Sequence, residues 1–519
     1  MSDAPRTIES VRLIVGMEIH VELATRTKMF SAAPSPAHPN HFDAAPNTLL
    51  DPVVLALPGA LPVMNKRAVE MSIMVGLALR CSIAEFTKWD RKSYFYPDMP
   101  KAYQISQYDL PLCFDGVVDL PAVDEQGFPN PDGQSRRIGI IRAHLEEDAG
   151  KLLHEAPGGH AIDHSIVDLN RAGTPLLEIV TQPDFSSADD CVLFARMLRN
   201  LCRFLGVTEG DMQKGHMRFE PNINCELTLS DGKVVRTPVV EIKHLNSFRS
   251  LKGAIEYELR DQPQRWRQDG REMGPGMKIT RGWDDTREVT FVQREKEDAH
   301  DYRYFPDPDL LPVEVSREWL DQIRASLPEP PMQRLERYTE KLELSIKEAS
   351  ALVEEREVCF LFEDAMNAIV EAGIDRTRAA RLAANLLLQQ GAKLANERGV
   401  HIHMLGLSAK AAAEIAVLRE KGEISNQSVE PLLIAVCDET NRGRSARGLA
   451  ESLNLLIVRD DAALDAWVDQ VLAKNPEAVA DVKAGKMAAA GRLVGEVMKL
   501  AGGKADGKVV RERIIAKIG

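Results

Sequence analysis

Hydrophobic and polar positions alternate almost without interruption from Val11 to Leu23, the period of a half-buried strand. Leu13, Val15, Met17, Ile19, Val21 and Leu23 point to one face, because side chains on a strand alternate from side to side. Ile14, Gly16, Glu18, His20 and Glu22 point to the other. The first set predicts a core face. The second sets two carboxylates and an imidazole in a row, ~6.5–7 Å between successive members. Gly16 leaves space there for something to approach the backbone. For a lone strand, a solvated polar face is the simplest account.

Later segments repeat the pattern. In Arg137–Lys151, Gly139, Ile141, Ala143, Leu145 and, by continuation, Glu147 share an apolar side, while Ile140, Arg142, His144 and Glu146 take the other. Glu147 is then the carboxylate set among apolar neighbours, provided that no bulge intervenes. Thr174–Thr181 places Glu178 with Leu176 and Val180. Met217–Leu229 alternates sharply, with Arg218, Glu220, Asn222, Asn224 and Glu226 on its polar side. Val239–Leu245 sets Glu241 and Lys243 opposite Val240 and Ile242. A sheet with one apolar face and one face of Glu, His, Arg, Asn and Lys is either solvated or a catalytic cradle. Glu147 and Glu178 favour the cradle, since burying an unpartnered charge is costly. A divalent cation would relieve that cost. Mg²⁺ prefers oxygen donors, so His20 suits a softer ion such as Mn²⁺, or serves to orient a carboxylate.

A helical period predicts a helix at Ala188–Leu205 and dominates after the proline-rich break Pro328–Pro331. Helices are expected at Leu335–Val353, Glu357–Ala372, Arg376–Gln390, Ser408–Lys421 and Asn426–Cys437, and, beyond the polar break Asp438–Gly448, at Asp461–Lys474, Asn475–Lys483 and Lys486–Ala501. The expected fold is α+β: a β-rich cradle with an antiparallel or mixed sheet over residues 1–318, a helical domain over 319–440 and a small helical tail over 441–519.

Composition narrows the function. A net charge of −13 argues against nucleic-acid binding over the whole surface. From Asp481 to Gly519, however, nine basic residues face four acidic ones, a local excess that fits either a solvated helix or contact with phosphates. No run of 18 apolar residues suggests a membrane span. Met1–Ser10 is polar and predicts no secretory signal. Seven scattered cysteines without a CxxC predict reduced, structural thiols and a cytoplasmic location. The chain has no P-loop, no G-x-G-x-x-G opening a helix after a strand, no H-E-x-x-H and no G-x-S-x-G. Lys88–Gln107 interleaves Lys88, Arg91, Lys92 and Lys101 with Trp89, Tyr94, Phe95, Tyr96 and Tyr103, a composition that holds phosphates or stacks on bases. Asp298–Pro312 is a similar loop.

Eight strings now carry a resemblance: Gly16–Leu23, Leu57–Val69, Asp90–Gln107, His144–Lys151, Val167–Val180, Glu241–Phe248, Asp301–Leu310 and Gly491–Lys499. In these the chain resembles the GatB family of the tRNA-dependent amidotransferases, almost from end to end. The resemblance implies a ligase that uses ATP and Mg²⁺ to phosphorylate the side-chain carboxylate of Glu-tRNA(Gln) or Asp-tRNA(Asn). Ammonia from a partner amidase (glutaminase) then displaces phosphate, and a small third protein joins the two. It implies Glu18, His20, Glu147, Glu178 and Glu220 as metal positions, although relatives more often carry Asp where Glu220 stands. Glu147, Lys92 and Lys101 are the expected catalytic residues, with Lys92, Tyr94 and Lys101 lining the wall beside the reacting carboxylate. Arg218, Asn222 and Lys243 are the expected substrate or ATP contacts, and Lys486, Arg492 and Lys499 the expected tRNA contacts. Many relatives hold zinc through cysteines; Ser31, Ala33, Asp51 and Val54 occupy those positions, so no zinc is expected. Glu18, Glu147 and Glu178 are expected to converge on one Mg²⁺. The competing class is a non-catalytic tRNA-binding scaffold, which would not need carboxylates in apolar strands.

Overall fold

The computed structural model describes residues 7–518 apart from 126, 131–132, 157–159, 296–301, 458–460, 484–487, 502–504 and 506. The chain forms two compact units, Met1–Pro331 and Met332–Gly519.

The first unit is built on a ten-stranded sheet. Its strands are β1 (Ile8–Glu22), β2 (Ser82–Ile83), β3 (Cys113–Leu120), β4 (Arg136–Glu147), β5 (Pro175–Thr181), β6 (Met217–Leu229), β7 (Val234–Arg236), β8 (Val240–Lys243), β9 (Ile279–Asp284) and β10 (Val289–Glu295). The spatial order is β10-β9-β8-β6-β1-β5-β4-β3-β2, with β7 beside β6. The β8–β9 pair is parallel and its neighbours are antiparallel, so the sheet is mixed. β1 is central, pairing antiparallel with β6 and β5. Its alternating side chains behave as expected: Val15, Met17, Ile19, Val21 and Leu23 are buried.

Three helices cover that apolar face: α1 (Lys66–Ala78), α2 (Ala188–Phe204) and α3 (Phe248–Asp269). On α2, Cys191, Phe194, Ala195, Leu198 and Cys202 recur at helical spacing and enter the core. Ser187 caps the helix by accepting from the Asp190 amide. A fourth helix, α4 (Arg317–Ala325), packs on α1 through the same core, so the expected boundary at 318 falls inside a helix of the first unit.

At Gly16 the group that approaches the backbone is the protein's own Pro183. A Cβ there would stand 3.6 Å from Pro183 Cα, an ordinary contact. β4 departs from strict alternation. Ile138 and Ile140 are buried, Ile141 is exposed, and Ala143 and Leu145 are buried again. Thr181 pairs with Ile140 while Val180 pairs with Arg142, which leaves Ile141 as the extra residue of a bulge.

The second unit is helical. The expected helix Leu335–Val353 is two: α5 (Pro331–Glu340) and α6 (Ile346–Glu354). Glu343 takes a left-handed φ of 54°, and Ser345 with Glu348 forms a capping box that restarts the chain as a helix. Helices α7 (Arg356–Glu371), α8 (Arg376–Asn385), α9 (Ala392–Arg398), α10 (Ala409–Glu420), α11 (Asn426–Val436) and α12 (Ala446–Ser452) follow. The tail comprises α13 (Asp461–Lys474), α14 (Pro476–Lys483), α15 (Ala488–Leu500) and α16 (Gly507–Ile518), which enclose a core of their own from Leu464, Val468, Leu493, Val497, Val510 and Ile514. All seven cysteines are free and buried.

Candidate active site

The polar face of the central strands gathers most of the candidate residues. Strand register sets Arg218, His20, Glu178 and His144 in one row across β6, β1, β5 and β4, and Glu220 beside Glu18 in the next. These strands are not consecutive in the chain, so the rows exist only once the sheet order is fixed.

Two acidic clusters result. In the first, one ligand atom each from His20, Glu146 and Glu178 lies within 4.8 Å of the others. His20 Nε2 is 3.7 Å from Glu178 and 3.8 Å from Glu146, and His144 Nε2 is 3.5 Å from Glu178. Burial pulls the His20 imidazole down, but Glu178 and Glu220 outweigh it and hold it near 9. Burial likewise raises Glu146, aided by Glu178, to about 7. Burial opposes ionisation of Glu178, yet His144 and His20 hold it well below the usual carboxylate range. Burial lowers His144 itself to about 4. The Nδ1 atoms of His20 and His144 are buried without a hydrogen-bond partner. Two carboxylates and an imidazole, with no ammonium or guanidinium in direct contact among the described residues, suit a divalent cation. The two carboxylates fit Mg²⁺ or Mn²⁺, and the imidazole either favours the softer Mn²⁺ or orients a carboxylate.

The second cluster joins Glu18, Glu220 and Glu241, again within 4.8 Å. Here the protein supplies its own cations. Lys243 Nζ donates to Glu220 at 2.6 Å, and Lys278 Nζ lies 3.3 Å from Glu241 and 3.6 Å from Glu18. Asn222 donates to Glu18 at 2.9 Å and Thr280 to Glu241 at 3.0 Å. Burial works against the charges of both Glu220 and Lys243, but their mutual attraction lowers the first and raises the second.

Glu147 joins neither cluster, so the expected convergence of Glu18, Glu147 and Glu178 is corrected. Residues 146 and 147 leave the strand on opposite sides, and it is Glu146 that faces His20. Glu147 ends β4 on the core side, where it accepts from the Ile105 amide at 3.0 Å and from Lys101 Nζ. Lys28, wholly buried, shares a small cavity with both. Glu18 and Glu178 fall in different clusters because they sit in different rows.

The remaining candidates are placed as follows. Arg218 Nη1 donates to Asp148 at 2.9 Å and to Glu22 at 3.4 Å, so its charge is already matched. Lys92 Nζ lies 4.8 Å from the centre of the Tyr302 ring, and its charge acts on Glu146 and Glu178. Tyr94 stacks on Tyr96. The two aromatic loops expected from sequence meet in a separate small sheet, where Asp90–Ser93 runs between Tyr103–Ser106 and Phe305–Pro306. Arg91 ties them further, with Nε donating to Asp307 and Nη2 to Asp309, each at 2.7 Å. Of the positions that the resemblance links to zinc, Ala33 and Val54 are buried with Ala172 in an apolar cluster, and Asp51 accepts from the Val54 amide. In the tail, Arg492 and Lys499 are exposed on α15, whereas Lys486 lies outside the described residues.

Sequence reasoning gave Glu146 and His144 no role. The signal for both was their side of the strand: alternation already set His144 and Glu146 with Arg142 on the polar face, the face that carries His20 and Glu178. It also missed Lys278, whose charge matters only once β9 lies against β8.

A mixed sheet with one apolar face and one face of paired carboxylates, imidazoles and amines is an enzyme's catalytic cradle, here carried with an appended helical unit. A family model described as the GatB/GatE catalytic domain matches residues 13–321, and one described as the GatB domain matches residues 364–518. The chain therefore belongs to the GatB family. Relatives named as the B component of aspartyl/glutamyl-tRNA(Asn/Gln) amidotransferase include that of Thermomicrobium roseum, 43% identical over 96% of both chains. That of Rhodopirellula baltica is 41% identical over 94% of this chain and 93% of its own. That of Thermosynechococcus vestitus is 39% identical over 100% of this chain and 99% of its own.

Proposed function

We propose that this chain is the carboxylate-activating component of a tRNA-dependent amidotransferase, working with a partner glutaminase and a small third protein in the cytoplasm. The reading rests on one observation above others: the His20–Glu146–Glu178 cluster, a cation-ready set of donors on the polar face of a cradle that matches the family along its length. The substrate is Glu-tRNA(Gln), Asp-tRNA(Asn) or both. The side-chain carboxylate attacks the γ-phosphorus of ATP and ADP leaves, giving an acyl phosphate. Ammonia then attacks the acyl carbon, and phosphate departs with the proton that the nitrogen loses, leaving the amide on the tRNA.

His20, Glu146 and Glu178 would hold Mg²⁺, which when bound neutralises phosphate charge. His144 and Glu220 steady that set from either side. Lys92 places a cation beside the cluster, where phosphate oxygens gather charge. Lys101 and Glu147 stand apart as an ion pair on the core side; this position fits passage of ammonia better than metal binding. Ala33 and Val54 fill the zinc-linked positions with apolar side chains, and this chain is read as working without zinc. Arg492 and Lys499 are read as contacts to tRNA phosphates.

The test is reconstitution with the glutaminase and the small third protein, followed by formation of Gln-tRNA(Gln) and Asn-tRNA(Asn) from the misacylated species. Amide formation that requires both ATP and Mg²⁺ supports the proposal. Equal amidation without ATP would overturn it.

A further inference from the structure

The aromatic side chains near the first cluster are more ordered than a general basic loop requires. Tyr108 and Tyr304, nearly two hundred residues apart in sequence, stack with centroids 4.1 Å apart and planes at 13°. Tyr304 meets Tyr302 edge-on at 6.2 Å, and Lys92 Nζ stands 4.8 Å from the Tyr302 ring centre. A line of contacts therefore runs from Tyr108 through Tyr304 and Tyr302 to the lysine whose charge reaches Glu146 and Glu178.

The position of Tyr108 is fixed at both ends of its own backbone. Its amide donates to Asp90 Oδ2 at 3.1 Å, and its carbonyl accepts from Arg142 Nη1 at 3.0 Å. Arg142 lies on β4, two residues before His144. Despite this anchoring, and with one ring face against Tyr304, Tyr108 remains 51% exposed. Tyr304 is more deeply set. Burial, then the nearby carboxylates of Glu146 and Glu178, push its phenol up, so it stays a neutral donor beside the cluster. A rigid tyrosine, backed by a second ring and open to solvent at the rim of a charged site, is a stacking surface for a flat ligand.

We propose that Tyr108, backed by Tyr304, is the platform on which an adenine base stacks, with the phosphate-bearing side of that nucleotide toward Lys92. The inference rests on the function proposed above, which gives the site two adenosine-bearing substrates: ATP, and the 3′-terminal nucleotide of the aminoacyl-tRNA. Stacking alone does not separate them, since both present the same base.

The reconstituted complex carrying Tyr108→Ala or Tyr108→Phe tests this. Tyr108→Ala should raise KM about tenfold for one adenosine-bearing substrate, with kcat within about twofold of wild type, while Tyr108→Phe keeps a KM close to wild type. A rise confined to ATP assigns the platform to ATP; a rise confined to the misacylated tRNA assigns it to the 3′-terminal adenosine. Unchanged KM values for both substrates, or a fall in kcat that Tyr108→Phe does not restore, would overturn the proposal. Calorimetric titrations with ADP and with uncharged tRNA repeat the two arms without turnover. A wild-type complex that forms no amidated tRNA would thus sink the proposed function while leaving the platform open to its own test.

Discussion

The two acidic clusters on the polar face have the same count of acidic or imidazole ligands and nearly the same spacing, yet they reach electrostatic balance differently. Glu18, Glu220 and Glu241 are met by two ammonium groups and by amide and hydroxyl donors. Glu146 and Glu178 are both met by His20, whose charge can be withdrawn by losing a proton, and Glu178 also by His144, which burial keeps uncharged. The difference teaches that carboxylate count does not mark a metal site. On the function proposed above, what separates the two is the kind of countercharge: a lysine in contact satisfies a cluster permanently, whereas a histidine can turn from countercharge into ligand.

The comparison is broken most severely at Glu178. Replacing it by Gln keeps shape and volume but removes the charge that both imidazoles face. Amide formation by the complex should fall about a thousandfold, equivalent to ~4 kcal/mol of lost stabilisation, with an unchanged circular dichroism spectrum. A Glu178→Gln complex with more than a tenth of wild-type activity would remove this cluster from the chemistry.

Glu147 provides the control, a buried carboxylate matched by one lysine, with side-chain exposures of 12% for Lys101 and 3% for Glu147. Lys101→Ala should destabilise the first unit by about 3 kcal/mol, because the carboxylate is left buried without its ion-pair partner. Urea unfolding followed by tryptophan fluorescence measures this. Glutamine-dependent synthesis should fall as well, and full retention would remove Lys101 from the ammonia route.

Lys243→Met sharpens the contrast by making the second cluster resemble the first. With that ammonium gone, Glu220 and Glu241 should accept an added divalent cation. Mn²⁺ titration followed by electron paramagnetic resonance should find one more equivalent bound than in wild type. The same stoichiometry in both proteins would show that Lys278 alone satisfies the cluster.

The smallest effect is expected far from both clusters in sequence. Arg492→Gln and Lys499→Gln should each flatten the log–log salt dependence of tRNA binding by about one unit, with kcat almost unchanged. These substitutions are better than truncation within the tail, because Leu464, Val468 and Val471 on α13 pack against α15 and would be uncovered. Part of the tail's positive excess is already spent internally: Arg513 pairs with Asp465 at 2.9 Å and Lys517 with Asp469 at 2.6 Å.

The faces of the central strands were legible in the sequence, since a period of two separates Ile19 from His20 and Leu177 from Glu178 without any knowledge of neighbours. So were most helices of the second unit, but not α9, α12, which starts inside the expected polar break, or α16, and Ser345 divides one expected helix by capping the next. The clusters were not legible as clusters. Their members come from strands whose order in space, β6-β1-β5-β4, differs from their order in the chain, and periodicity carries no information about which strands touch. The choice of Glu147 over Glu146 failed for a related reason. An apolar side for Glu147 was read correctly, but burial was taken as a need for metal when Lys101, 46 positions earlier, meets it. Tyr304 lay in an expected loop and Tyr108 just beyond the end of the other, and their stacking follows only once the small sheet brings those segments together.

The buried cysteines make the native chain a convenient object for chemical labelling. Burial raises the thiols of Cys81, Cys202 and Cys225 to about 12, far from thiolate at neutral pH. A maleimide reagent should therefore find little to react with until the chain opens. A cysteine introduced at an exposed position such as Phe95 or Lys499 would carry a dye without prior removal of the seven natural ones. The rate at which those seven become reactive would, in turn, act as a clock for unfolding of the regions that hide them.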